Sequence, residues 1–74
     1  MMTDKELQKA RLEKAGIIKA RRKELGLTQQ ELADRCQLGL NTIKRLEEGK
    51  FWPVLKILEI VAKELKLKIK LEEE

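Results

Sequence analysis

Apolar positions across residues 4–25, DKELQKARLEKAGIIKARRKEL, recur at helical spacing. Leu7, Ala10, Ala15, Ile18 and Leu25 are the apolar members, and charged side chains fill most of the rest. Thr3 stands where an N-cap belongs and Glu6 follows three residues later, so a capping box starts this helix at Asp4. Gly26 supplies the left-handed residue that helix ends favour. Gly16 interrupts the run at a cost of about 1 kcal/mol relative to alanine, and marks either a bend or a close contact.

Thr28 and Glu31 repeat the capping box, and QQELADRC predicts a second helix with Leu32, Ala33 and Cys36 inward. A brief turn, QLG, leads to a third helix over residues 40–48, with Ile43 and Leu46 as its buried side and Gly49 closing it. Residues 50–52 read as a loop. Pro53 fits the first position of a fourth helix, PVLKILEIVAKEL, where its missing N–H costs nothing. The period then changes. In LKLKIKLE, residues 65–72, Leu65, Leu67, Ile69 and Leu71 alternate with Lys66, Lys68, Lys70 and Glu72, the pattern of a half-buried strand.

Composition narrows the class. A chain of 74 residues has room for one domain and a small core. Charged residues make up 41% and apolar ones 42%, a mixture that folds. One cysteine excludes an internal disulfide, and the absence of histidine argues against a zinc site, which leaves self-association as the aid to stability. Cys36 behaves as a small core hydrophobe. The net charge of +4 comes from residues 1–26, with eight basic and four acidic side chains, since the rest is balanced. Such an excess acquires meaning only beside a motif. MMTDKELQKA lacks the apolar centre of a signal peptide, and no apolar run is long enough to span a membrane. The expectation is a cytoplasmic protein.

Two short helices joined by a tight turn, with one helix before and one after, form the arrangement of a helix-turn-helix. The third helix turns Asn41, Lys44 and Arg45 outward. Asn can grip adenine and Arg guanine through paired hydrogen bonds, and Asn41 and Arg45, four apart, share a face. Alone, they would read as a solvated surface. IKARRKELGLTQQELADRCQLGLNTIKRLEEGKFWPVLKILEIVAKEL, however, resembles the Cro/Xre-type, lambda-repressor-like DNA-binding domain. GLTQQELA, NTIKRLEEGK and the Pro-led helix carry that resemblance over residues 17–65, with residues 1–16 as an N-terminal helical extension.

The resemblance implies a mostly α, four-to-five-helix fold and roles for particular residues. Leu40, Asn41, Lys44 and Arg45 become base contacts in the major groove, Leu40 through an apolar contact alone. Phosphate contacts fall to Thr28, Gln29, Thr42, Lys50 and Trp52, with Trp52 equally suited to packing. Arg22 pairs with Glu47 as a structural ion pair, which keeps that acid away from DNA. Two positions depart from the family. Gln37 stands where glycine is usual, and Gly39 replaces a capping Ser or Thr. Left-handed Gln37 would cost about 1 kcal/mol, which favours a shifted turn in which Gly39 takes the positive φ.

The fourth helix carries Leu55, Leu58, Val61, Ala62 and Leu65 at the family's buried positions and Val54, Ile57 and Ile60 on a second apolar stripe. So wide an arc must bury two faces. A lone strand, moreover, leaves its ladder groups unpaired. Both needs are met by a two-fold homodimer in which the strands of residues 66–72 pair across the axis. Its interface is expected to hold Val54, Ile57, Ile60, Val61, Leu67, Ile69 and Leu71. Small DNA-binding antitoxins are similar in adding a dimerising C-terminal strand.

The leading functional expectation is a nucleoid-associated homodimeric transcriptional regulator, a repressor binding a palindromic double-stranded DNA operator. An antitoxin whose main partner is a toxin protein is the alternative, and a scaffold without an operator is a third. An enzyme is disfavoured: no histidine, no tyrosine and no phosphate-cradling glycine loop is present. No cofactor, metal or membrane partner is implied.

Overall fold

The computed structural model describes residues 2–50 and 53–67. Within them the chain forms α1 (Asp4–Glu24), α2 (Gln29–Cys36), α3 (Leu40–Glu48) and α4 (Leu55–Glu64). α3 packs against both α1 and α2, and α4 packs against α2. Ile18, Leu32, Ile43, Leu46, Val61 and Leu65 are the largest fully buried side chains, at least one from each helix or its end. Among the described residues no helix is long and apolar enough to cross a membrane.

Local chemistry fixes where the helices begin. The Thr3 hydroxyl accepts the Glu6 N–H at 3.2 Å while the Glu6 carboxylate accepts the Thr3 N–H at 3.1 Å. Thr28 and Glu31 do the same at 3.0 and 2.8 Å. Both capping boxes read from the sequence are therefore formed, and each satisfies two amides that lack intrahelical partners. Their threonine hydrogen bonds hold the Glu6 and Glu31 carboxyls below the usual carboxylate range.

One closing device ends three of the helices: a left-handed residue, then an N–H reaching back five positions. Gly26 (φ 72°) serves α1, with Leu27 N–H donating to the Arg22 carbonyl at 3.1 Å. Gln37 (φ 57°) serves α2, with Leu38 donating to Ala33 at 2.9 Å. Lys66 (φ 56°) serves α4, with Leu67 donating to Ala62 at 2.8 Å.

Several expectations are corrected here. The turn before α3 is not shifted: Gln37 itself is left-handed, and Gly39 is an extended N-cap at φ −71° and ψ 149°. The two carbonyls at the end of α2 need this closure, and Leu38 behind it packs against the core. Pro53 precedes the N-cap Val54 rather than opening α4. Its ring is buried, and so is Leu58, the two occupying the positions of a hydrophobic staple. Leu55, expected inside, is 50% exposed at the first turn of α4. Gly16 makes no close contact among the described residues, since a Cβ there would meet nothing of theirs within 4 Å, and α1 continues through it.

The mostly α architecture stands, but no strand occurs among the described residues. Leu65, Lys66 and Leu67, where the alternating pattern begins, are the closure of α4, because its last carbonyls need donors that a strand start would withdraw. Residues 68–72, the remainder of the expected strand, lie outside the described residues.

Candidate nucleic-acid interface

α3 has one face locked and one open. Ile43 and Leu46 are fully buried and Glu47 is 8% exposed. Asn41, Lys44 and Arg45 stand exposed on the opposite side, as does Glu48. Leu40 and Thr42 at the first turn are half-buried. Gly39 gives α3 no side-chain cap. At the other end Gly49 is doubly required: its φ is 73°, and a Cβ there would stand 2.5 Å from Leu12 Cδ2. α1 therefore lies directly against the carboxyl end of α3.

The inward orientation of α3 is held by charge. Arg22 Nε donates to Glu47 Oε2 at 2.7 Å and Nη2 to Oε1 at 3.0 Å, while Nη1 donates to the Leu27 carbonyl at 2.8 Å. Such a forked pair is geometrically specific. Gln29, half-buried at the first position of α2, donates its side-chain amide to Glu47 Oε1 at 3.1 Å. One carboxylate thus ties α1, α2 and α3 together, and the α2 amide stands between a buried ion pair and the surface. Thr28 is exposed beside it, its hydroxyl engaged as the cap.

Lys50 is exposed just past Gly49, and Trp52 lies outside the described residues. At the amino end of α4, Val54 is 68% exposed and Ile57 and Ile60 are half-buried, Ile60 packing against the core. Val61 is 0% exposed, so it has no surface to offer a second subunit. Leu67 packs against the core, and Ile69 and Leu71 lie outside the described residues.

Two positioning contacts escape sequence reading. Arg21 Nε donates to the Leu65 carbonyl at 3.0 Å, fastening α1 to the end of α4. Leu12, 49% exposed, is the residue against which Gly49 seats. Neither has a local signal, since both join points far apart in the chain. Cys36 is buried, and burial, with the Glu64 carboxylate adding to it, pushes its thiol up to about 11. It is unreactive at neutral pH.

A helix pair joined by a tight turn, its second helix presenting amide and cationic groups, defines a helix-turn-helix protein. A family model described as helix-turn-helix matches residues 18–71, and the chain belongs to this Cro/Xre-type family. An uncharacterized HTH-type transcriptional regulator of Methanothermobacter thermautotrophicus is 45% identical over 49 residues, covering 66% of this chain and 71% of the relative. No solved structure matches this chain at a significant level.

Proposed function

We propose that the chain is a sequence-specific double-stranded DNA-binding protein that regulates transcription, with α3 lying in the major groove. The exposed set Asn41, Lys44 and Arg45 on a helix whose other face is fully committed carries this reading. Asn41 offers paired bonds to adenine, Arg45 paired bonds to guanine, and Lys44 a single donor to a base or phosphate. In this reading Gln29, Thr28, Thr42 and Lys50 set the register through phosphates. The name of the archaeal relative points the same way.

The protein acts as a homodimer in this reading, most simply a repressor occupying a palindromic site with half-sites about 34 Å apart. Val54 and Leu55, with half-buried Ile57, leave an apolar surface at the start of α4 that supports a second subunit.

Selection of binding sites from random duplexes tests the reading. The expected product is a palindromic consensus containing guanine. Arg45→Ala is expected to lose the preference at that base, with a cost of about 1–3 kcal/mol. Retention of the full preference by Arg45→Ala would remove Arg45 from the readers.

A further inference from the structure

Lys5, Lys9, Leu12, Gly16, Lys19 and Lys23 are spaced alternately four and three residues apart, and all are exposed on α1. That spacing places them along one line of the helix, about 27 Å from end to end. No carboxylate interrupts the line. Glu6 and Glu13 flank Lys9 from beside the line, three residues before it and four after.

Its middle is fixed beside the candidate interface. Leu12 is the residue on which Gly49 seats, and Gly49 closes α3 immediately before exposed Lys50. The cationic line therefore flanks the carboxyl end of the helix read as entering the groove. Gly16 adds an independent observation. It weakens the helix interior, yet nothing among the described residues occupies the space that a Cβ would take. A bare backbone at the centre of a lysine line suits the close approach of something outside the chain.

We propose that this line of α1 tracks the phosphate backbone of the same duplex that α3 reads, with Lys5, Lys9, Lys19 and Lys23 as phosphate partners and Gly16 as the clearance. The proposal rests on the DNA-binding reading and extends it to a surface that lies mostly ahead of the segment matched by the family model, which begins at residue 18. Its contribution is independent of sequence, because phosphates carry none. It lengthens the contacted segment beyond the base pairs under α3.

The test measures binding to a duplex of the selected consensus and to a scrambled duplex across a salt series. The variant Lys5→Gln/Lys9→Gln/Lys19→Gln/Lys23→Gln is compared with wild type and with Lys56→Gln/Lys63→Gln, two exposed α4 lysines away from the line. Each lost phosphate contact lowers the steepness of log K against log salt by about 0.9. The expected result is a larger loss of slope per lysine in the α1 variant than in the α4 control, with equal weakening on both duplexes. Gly16→Gln is expected to raise the melting temperature while lowering affinity several-fold. A per-lysine change no greater than the control's, with consensus preference intact, overturns the α1 surface and leaves the α3 reading standing. Absence of duplex binding by the wild-type protein overturns both.

Discussion

Arg22 grips Glu47 through two bonds, at 2.7 and 3.0 Å, although 25 residues separate them in the chain. Both side chains are almost wholly buried, so each is the other's counter-charge in a place water does not reach. Removing one partner strands the other. Glu47→Ala is expected to destabilise the fold by roughly 3–5 kcal/mol. Glu47→Gln should cost less, since it retains oxygen for one Arg22 donor. Chemical denaturation of the two variants checks the order, and equal losses would deny the pair its structural role.

Gln37 is a second place where stability can be read out. Its left-handed conformation costs a side chain roughly 1–2 kcal/mol that glycine avoids. Glycine's extra freedom in the unfolded chain offsets part of that gain. Gln37→Gly is therefore expected to stabilise by on the order of 0.5–1 kcal/mol, a rise of a few degrees in melting temperature. Gly39→Ser, which adds the cap that α3 lacks, is expected to contribute a few tenths more.

Gly49 and Leu12 should show coupling. Gly49→Ala meets both an unfavourable φ and the Leu12 side chain, and a loss of about 1–3 kcal/mol is expected. In a Leu12→Ala background the steric part vanishes and only the backbone part remains. A double-mutant cycle measures the difference, and simple additivity would mean that the two residues do not touch.

Alkaline pH should weaken the fold through Cys36. The folded chain binds this proton more tightly than the unfolded chain, because burial raises the thiol from 9.0 to about 11. Stability from this group is complete below about pH 9 and is lost as pH rises toward about 11. The loss is on the order of 3 kcal/mol. Cys36→Ala isolates it from lysine titration: unfolding curves of the two proteins should converge between those pH values.

Much of the helical framework was legible because its signals are local. Thr3 with Glu6 and Thr28 with Glu31 lie three residues apart, where capping needs them, and the helices begin at the residues that follow. Cys36 follows from the periodicity of its own helix. The errors arose where tertiary demands override local preference. Gln37 adopts a conformation glycine would favour, which closes the end of α2 and lets partly buried Leu38 pack against the core. Leu55 satisfies the helical pattern yet stays half exposed, since periodicity gives a face and not what covers it. The alternation in residues 65–67 read as strand, but the same Leu-Lys-Leu order serves a helix closure with both leucines turned to the core. At the interface, the outward set on α3 follows from spacing alone. The Gln29 bond to Glu47 does not, for it joins residues from different helices.

The division of α3 between a committed side and an open one also bears on how this protein could change. Asn41 and Lys44 stand exposed, whereas Ile43, Leu46 and Glu47 are the buried residues of α3. Replacements at Asn41 and Lys44 leave that buried set in place. On the proposed function, descendants of one such sequence can thus diverge in the sites they bind while keeping the same interior.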